Sequence, residues 1–355
     1  MASSHSPVKA RSSRGAECMP TVTLSFADGD RAVFAARSGE TILAAARRAG
    51  IALASDCEIG DCQTCRSTCL AGEIEYDELS SISLSPGEVE AGEILPCVAA
   101  AATDLEVHLP YERGKLIAAK PFSIKVERID RLSSSVVGIS ARMLGLSALK
   151  FLPGQYVNLQ VPGTSEWRSY SMANAPGEQR VLEFFVRLLD DGIMSRYLAE
   201  RAAPGDVIQC RGPQGTFYLR SGERPVLMVA GGTGVAPMTS MLSQMIASKE
   251  YRPVALCFGV NRTDDLFLLD QLAKFRQVLP SFDFRIAVAE GTGKPDLHCG
   301  FVTDLIDAES AANSDVYLCG PPAMTERART IVTEFGAPAS SIFAEKFIAT
   351  AGGAV

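Results

Sequence analysis

The pattern of hydrophobic and polar residues divides the chain into three stretches, and the first of them predicts an α+β unit. Residues 21–26 alternate between apolar and polar positions, Asp28-Gly29 is a typical hairpin turn, and residues 31–35 supply a second strand. A capping sequence follows and predicts a helix that ends at Arg48. We expect this unit to close near Pro110, after one more strand.

The second stretch, residues 122–219, has β character throughout. Its short apolar segments are separated by Pro and Gly, and one helical stretch, residues 194–201, interrupts them. Several short strands with a single helix predict a small antiparallel barrel.

In the third stretch, from Pro225 onward, near-continuous apolar strands alternate with helices. The strand at 225–232 is followed by a helix through Met245, and the strand at 253–260 by a predicted helix at 265–275. This alternation predicts a doubly wound parallel sheet.

These patterns predict a multidomain protein of classes α+β, β and α/β. The predicted boundaries are a disordered tail at 1–19, an α+β domain at 20–110, a linker at 111–121, a β-barrel at 122–222 and an α/β domain at 223–355.

Composition narrows the possible functions. The 355 residues carry a net charge of −7, and no run of Lys and Arg is dense enough for nucleic acid. The sequence has no run of eighteen apolar residues, and residues 1–19 lack the apolar core of a secretory signal, so we expect a cytoplasmic protein without a membrane segment. Ten cysteines in such a chain argue against a disulfide framework, and three histidines make a His-rich metal site hard to assemble.

Four of the cysteines form a pattern. Cys57, Cys62 and Cys65 share one loop and Cys97 follows later, which is the C-x4-C-x2-C…C spacing of a plant-type 2Fe-2S cluster held by four thiolates. A structural zinc site is the alternative, but zinc sites usually have two C-x2-C-like pairs, so the spacing favours the cluster. We interpret Cys69 as packed and not a ligand.

The sequence WRSYSMAN at 167–174 suggests a flavin site in the barrel. An Arg such as Arg168 can grip a pyrophosphate, the ring of Tyr170 offers a flat face for an isoalloxazine, and the Ser171 hydroxyl is placed to bond the reactive flavin nitrogen. Gly192 and Ser195 stand where a helix begins, and helix N-terminal amides bind anions. Taken alone, R-x-Y-S fits an ordinary surface strand as well.

Two loops predict a dinucleotide site in the third stretch. The sequence VAGGTGVAPM brings glycines, including Gly232 and Gly234, to the start of a helix, although Ala236-Pro237 replaces the last glycine of the G-x-G-x-x-G fingerprint. The sequence CGPP at 319–322 ends a later strand, so both loops should face one crevice at the carboxyl ends of the strands. Cys319 is either near the nicotinamide or a core residue.

The segment after the strand at 253–260 bears on the choice of nucleotide. Selection for a 2′-phosphate would need a basic cluster there, whereas one arginine, Arg262, stands beside Asp264 and Asp265. This favours NADH, and Arg262 keeps NADPH open as the alternative.

The order of these motifs, with a terminal AEKF at 344–347, resembles the ferredoxin–NADP reductase-like electron-transfer proteins over about residues 20–349. The chain is most similar to the reductase components of aromatic-ring-hydroxylating dioxygenases of the benzoate and anthranilate type. The resemblance implies a β-grasp 2Fe-2S ferredoxin domain, a β-barrel that binds FAD and a parallel-sheet domain that binds NADH. In the family, the cysteine loop usually reads C-R-x-G-x-C-G-x-C, so Glu58 and Gln63 depart from it.

The resemblance also assigns roles to individual residues. It places Glu345 near the flavin and Phe347 over the ring face, although Phe347 also fits a terminal core residue. Catalytic roles are expected for Ser171, Glu345 and Cys319. Cofactor contacts are expected from Arg168, Ser169, Tyr170, Ser171, Gly192, Met194, Ser195, Gly232, Thr233, Gly234, Pro237, Cys319, Gly320, Pro321 and Phe347.

The function that follows is an NADH-dependent reductase. Hydride would pass to FAD, and single electrons would then pass through the cluster to a terminal oxygenase protein. A diiron monooxygenase acting on phenols or alkenes, or a terephthalate or salicylate oxygenase, is the alternative partner. A nucleotide-sensing scaffold with a structural zinc is the non-enzymatic alternative.

Overall fold

The computed structural model of the protein describes residues 19–77, 82–177, 180–291 and 296–347. These residues divide into two compact units. The first contains the chain up to Ile117 together with residues 214–216, and the second contains residues 118–213 and 217 onward. The predicted disordered tail lies outside the described residues apart from Met19. The limits of the three predicted domains stay a prediction.

The first unit is built on a mixed sheet with the strand order β2-β1-β7-β3-β5, and a small ladder joins β4 to β6. Strand β1 is antiparallel to β2 and parallel to β7. Its described elements are β1 (Thr21–Phe26), β2 (Arg31–Ala35), α1 (Ile42–Arg48), β3 (Ser67–Ala71), β4 (Ile74–Tyr76), α2 (Pro86–Glu90), β5 (Glu93–Ile94), β6 (Ala99–Ala101) and β7 (Leu105–Leu109).

Local sequence explains the start of this unit. Val22, Leu24 and Phe26 point to the core from alternate positions of β1. The Thr41 side chain caps α1 by accepting a hydrogen bond from the Ala44 amide at 3.2 Å. The predicted hairpin and the predicted helix are therefore confirmed.

The second unit begins with an antiparallel barrel sheet of strand order β11-β10-β13-β8-β9-β12. Apolar side chains from alternate strand positions, Val157, Leu159 and Phe184 among them, fill its interior. Its described elements are β8 (Lys120–Arg131), β9 (Val136–Met143), β10 (Tyr156–Gln160), β11 (Trp167–Ser171), β12 (Val181–Arg187), α3 (Ile193–Glu200) and β13 (Val207–Gln214).

The same unit continues into a parallel sheet of order β17-β16-β15-β14-β18-β19. The central strand β14 and its neighbour β18 are buried along almost their whole length, as strands covered on both faces are. The described elements are β14 (Val226–Gly231), α4 (Val235–Ser248), β15 (Val254–Val260), α5 (Leu269–Val278), β16 (Phe282–Val288), β17 (His298–Cys299), α6 (Ala308–Asn313), β18 (Asp315–Gly320), α7 (Pro322–Glu334) and β19 (Ile342–Lys346).

The helix predicted after the strand at 253–260 begins later than expected. The helix expected at 265–275 begins only at Leu269 and extends to Val278. The reason is the burial of Phe267, whose ring packs edge-on against Phe185 at 5.5 Å and Phe258 at 5.7 Å between ring centres. This packing holds the chain before Leu269 outside the helix.

The helices within the described ranges are short. The longest of them, α4, has 14 residues. None combines the length and the apolar character that a bilayer crossing requires.

Candidate functional site

The cysteine loop of the first unit gathers its four predicted thiols into two pairs. The Cys57 amide faces the Cys62 Sγ at 3.5 Å, and the Cys62 amide faces the Cys57 Sγ at 3.3 Å. The thiols of Cys65 and Cys97 are hydrogen-bonded to each other, although 31 residues separate them in the chain. The spacing therefore predicted residues that the fold does bring together.

Backbone amides of this loop are turned toward the sulfurs. Hydrogen bonds from Cys62 and from the loop amides outweigh burial and bring the pKa of the Cys57 thiol to about 5. The hydrogen bond with Cys65, together with the Gly60 amide, lowers the pKa of Cys97. The Thr64 side chain is hydrogen-bonded to Cys62. The same shared hydrogen bonds, together with burial, raise the pKa of the other thiol of each pair, Cys62 and Cys65. The loop therefore stabilises negative charge on one sulfur of each pair.

The donor set fits a cluster with two irons. Two thiol pairs would supply two protein ligands for each iron, which matches the four-cysteine ligation of a 2Fe-2S centre. A structural zinc would need four donors around one point. No group of three or more Cys, His, Asp or Glu side chains in the described part of the chain is arranged to hold a single ion.

The two departures from the family loop both take up left-handed backbone. Glu58 has a φ of 58° and Gln63 a φ of 57°, a region that favours glycine. Gln63 donates from Nε2 to the Ser83 carbonyl at 2.7 Å, and Glu58 pairs with Arg47 at 2.6 Å. Both side chains thus make a polar contact, and that of Gln63 is one that the usual family glycine could not make.

Cys69, interpreted from the sequence as packed and not a ligand, makes its polar contact with the backbone beyond the loop. It is on β3, and its Sγ faces the Ala71 carbonyl at 3.5 Å. Burial raises the pKa of its thiol. These surroundings are those of a packed cysteine, whereas the thiols predicted as ligands, such as Cys57, face loop amides.

Sequence reasoning missed the ion pairs and the hydrogen bond that hold the segments flanking the cysteine loop. Arg66 bridges Glu88 at 3.0 Å and Glu93 at 3.2 Å, and all three side chains are largely buried. The Tyr111 hydroxyl accepts a hydrogen bond from the Ala54 amide at 3.1 Å. Arg66 directly follows Cys65, a predicted ligand, and this is the one sequence signal that pointed to the network.

In the second unit, β11 carries the predicted flavin residues at the edge of the barrel. Arg168 donates from Nη1 to Glu166 at 3.0 Å and to the Trp167 carbonyl at 2.8 Å, so its guanidinium is already held in place. The Ser169 hydroxyl donates to Asn158 Oδ1 at 2.7 Å. Tyr170 packs against the barrel core, and burial raises the pKa of its phenol.

The predicted anion site at 192–195 lies at the start of α3. Gly192 is the N-cap of this helix, and the Ser195 hydroxyl accepts a hydrogen bond from the Leu189 amide at 2.8 Å. The Met194 side chain lies in the barrel core. Met194 therefore has its backbone amide, and not its side chain, available for a phosphate.

The two predicted nucleotide loops lie against each other. A Cβ on Gly234 would stand 2.3 Å from the Cys319 carbonyl oxygen, so only glycine fits there. Gly232 and Thr233 belong to the one-turn helix that precedes α4, and Pro237 lies in the first turn of α4. The strands β14 and β18 are neighbours, which places Gly320 and Pro321 at the same sheet edge as the glycine turn.

The three predicted catalytic residues meet at this edge. The Ser171 hydroxyl, at the end of β11, donates to Glu345 Oε2 at 3.2 Å. Glu345 is paired with Cys319 across β19 and β18. Glu345 keeps some surface exposure, yet the crowding of its carboxyl group by protein atoms raises its pKa to about 8, against the lowering effect of the Ser171 hydrogen bond.

Cys319 and Phe347 can each still be interpreted in two ways. Cys319 is fully buried, and burial together with the nearby Glu345 raises the pKa of its thiol. The Phe347 amide donates to the Gly320 carbonyl at 2.9 Å, and its ring packs against the nucleotide-domain core. Their roles next to a nicotinamide or a flavin stay a prediction.

Sequence reasoning missed two residues of α4 that bond the segment directly after β11. The Thr239 hydroxyl donates to the Ala173 carbonyl at 2.8 Å, and the Ser240 hydroxyl donates to the Asn174 carbonyl at 2.7 Å. Both hydroxyl residues are fully buried within an otherwise apolar helix start. That contrast was the available signal, because buried hydroxyls need partners.

Three family descriptions match successive parts of the chain. Residues 25–102 match the 2Fe-2S iron-sulfur cluster binding domain, residues 123–218 the oxidoreductase FAD-binding domain and residues 228–330 the oxidoreductase NAD-binding domain. The expected cofactors and the expected order of domain types are confirmed.

Characterised relatives match nearly the whole chain. The toluate 1,2-dioxygenase electron transfer component of Pseudomonas putida is 35% identical over 337 residues, which is 93% of this chain and 99% of that protein. The anthranilate 1,2-dioxygenase electron transfer component of Acinetobacter baylyi is 33% identical over 92% of this chain and 97% of that protein. The propane 2-monooxygenase reductase component of Gordonia is 32% identical, covering 88% and 93% respectively.

A solved structure agrees with the fold. The Amycolatopsis cytochrome P450 reductase superposes with a TM-score of 0.70 at 30% identity, covering 92% of this chain and 98% of that one. The ferredoxin reductase of carbazole 1,9a-dioxygenase, at 23% identity, covers the same share of each chain with a TM-score of 0.65. The expected combination of ferredoxin, barrel and parallel-sheet domains is confirmed.

Proposed function

The chain belongs to the family of iron–sulfur flavoprotein reductases that serve as electron-transfer components of oxygenases, and from this premise we propose that it carries electrons from NADH to an aromatic-ring-hydroxylating dioxygenase. The toluate and anthranilate relatives support a partner that acts on aromatic carboxylates. When bound, FAD takes a hydride from NADH and the 2Fe-2S cluster passes electrons on one at a time.

The contact of Ser171 with Glu345 carries this proposal. It brings the end of a barrel strand to the carboxyl ends of the parallel strands, where the glycine turn also lies. A hydride donor and its acceptor must be held within contact distance. At the contact between Ser171 and Glu345, the barrel lies on one side and the parallel sheet on the other.

The residues divide between the two nucleotides. Arg168 and the amides of residues 192–195 are the groups for the flavin pyrophosphate, and Tyr170 is the residue for the flavin ring. The turn from Gly232 to Pro237 is the corresponding group for the NADH pyrophosphate. Arg187 reaches the same turn, with Nη1 at 3.8 Å from the position of a Gly232 Cβ.

Glu345 and Ser171 hold a proton at the meeting point. With a pKa of about 8, Glu345 is mostly protonated at pH 7. The Ser171 hydroxyl donates its hydrogen to Glu345, and its oxygen can accept a hydrogen bond at the flavin edge. Neither residue has to act as a strong base, since a hydride moves with its electrons.

A diiron monooxygenase is the second candidate partner. The propane 2-monooxygenase relative favours it, with identity close to that of the dioxygenase relatives. A terephthalate or salicylate oxygenase fits the same chemistry. All of these partners would receive electrons from the same thiol-bound cluster. The candidates therefore differ only in which oxygenase binds the reductase.

The test has two stages. Anaerobic addition of NADH to the purified protein should bleach flavin and cluster absorbance, and a colourless protein that contains zinc would contradict the proposal. Coupled turnover with a purified benzoate-type terminal dioxygenase and, separately, with a diiron hydroxylase then identifies the partner. Faster product formation with the diiron protein would replace the first candidate by the second.

A further inference from the structure

The order of the parallel sheet places the two ends of a dinucleotide. Strand β14 has β15 and β16 on one side and β18 and β19 on the other. Ligands of such sheets bind at the carboxyl ends, across the point where the strand order reverses. Glu345 and Cys319 lie on the side of β18 and β19, so the adenosine end of the dinucleotide lies toward β15 and β16.

One arginine and one glutamate stand side by side at those two strand ends. Arg262 follows β15 and Glu290 follows β16. The Glu290 amide donates to the Asn261 carbonyl at 2.8 Å, which continues the pairing beyond the strands. Arg262 Nε and Glu290 Oε2 are 3.8 Å apart, and each side chain is 68% exposed. The pair is thus open to a ligand.

The neighbouring acid Asp265 is occupied in a different way. It accepts hydrogen bonds from the hydroxyls of Ser134 and Ser135 and from the Arg262 amide. It therefore fixes the loop backbone against the barrel hairpin. Glu290 is the acid that faces the Arg262 guanidinium.

We propose that Glu290 is a specificity-determining residue that selects NADH against NADPH by occupying Arg262; the inference rests on the proposed function. An arginine fork is the usual partner of a 2′-phosphate, whereas a carboxylate accepts a hydrogen bond from a free 2′-hydroxyl. The Glu290 charge both satisfies Arg262 and repels the phosphate dianion. Removing that charge leaves Arg262 for the phosphate.

The experiment compares Glu290→Gln, Arg262→Ala and the double variant in the full-length protein with its cofactors. The kcat/KM for NADH and for NADPH is measured with ferricyanide as acceptor, and 2′-phospho-AMP and AMP serve as competitive probes. Asp283→Asn is the matched control, because Asp283 forms an exposed pair with Arg276 at the opposite end of β16.

Glu290→Gln is expected to raise kcat/KM for NADPH about tenfold at low salt and to tighten inhibition by 2′-phospho-AMP, with less gain at high salt. The gain should vanish in the double variant, and Asp283→Asn should show none. An unchanged NADPH value, or an equal gain without Arg262, overturns the inference while NADH oxidation still supports the proposed function. Absence of NADH oxidation in the unmodified protein overturns the proposed function itself.

Discussion

The Ser171 hydroxyl donates a hydrogen bond to Glu345 Oε2 at 3.2 Å, across 174 positions of sequence. The contact joins the last residue of β11 to β19, and so it ties the barrel to the parallel sheet. It also leaves Glu345 as a crowded carboxyl group that accepts its hydrogen bond from a neutral hydroxyl. Both the stability and the reactivity of the protein should depend on this pair.

Replacement of Glu345 by Gln should flatten the pH dependence of stability. The folded protein binds the Glu345 proton with a pKa of about 8, above the ordinary value of 4.5. The contribution of this group is therefore fully present below pH 4.5 and is lost as the pH rises through 8, by at most about 1.4 kcal/mol per pH unit. Melting temperatures of both proteins between pH 5 and pH 9 measure the difference.

We expect the melting temperature of Glu345→Gln, relative to that of the unmodified protein, to increase as the pH rises. Glu334→Gln, at the exposed end of α7, provides the control and should follow the unmodified protein at every pH. Parallel curves for the Glu345 variant and the unmodified protein would show that Glu345 ionises normally in the fold.

Replacement of Ser171 by Ala should slow the reduction of bound flavin by NADH about 10- to 100-fold. This is the range expected when one hydrogen bond to a charged group, or to a group that becomes charged in the reaction, is lost. The rate is measured by stopped-flow absorbance under anaerobic conditions. Ser123→Ala is the control, since its hydroxyl bonds Gln209 on the barrel. Equal rates in the two variants would remove Ser171 from the reaction.

Replacement of Cys97 by Ser should remove iron and acid-labile sulfide and leave flavin bound. Cys97 is one member of a thiol pair, so its loss leaves one iron short of a ligand. NADH-dependent reduction of cytochrome c should be lost, while reduction of ferricyanide by the flavin persists. Cys69→Ser, a change of the fifth cysteine of the same unit, should keep its full iron content. Iron loss in both variants would contradict the assignment.

Sequence periodicity was sufficient where the structure is decided locally. The alternation in β1 and the cap of α1 at Thr41 are determined by residues within a few positions of each other. The predicted start of α5 was wrong because Phe267 packs against rings from β12 and β15. These rings are too distant in sequence to be included in a local pattern. Tertiary packing overrode helix propensity at that point.

The candidate site divides in the same way. The proximity of Cys57, Cys62 and Cys65 was predictable because short spacings keep cysteines in one loop. The bonds from Thr239 and Ser240 to the segment after β11 were not, because each partner is ordinary in its own segment. The sequence names such residues only when a buried hydroxyl is recognised as one that needs a partner.

Gln63 offers a separate test of how the cysteine loop is held. Its left-handed backbone, with a φ of 57°, costs a non-glycine residue about 1 kcal/mol, and its bond to the Ser83 carbonyl returns about the same. Gln63→Ala loses the bond and keeps the backbone cost, so the cluster should bleach fastest in this variant on warming. Gln63→Gly loses both the hydrogen bond and the backbone cost, so its cluster should bleach at close to the rate of the unmodified protein. Equal bleaching rates of the two variants would show that backbone conformation at this position has no effect. A bleaching rate of Gln63→Ala equal to that of the unmodified protein would show that the hydrogen bond has no effect.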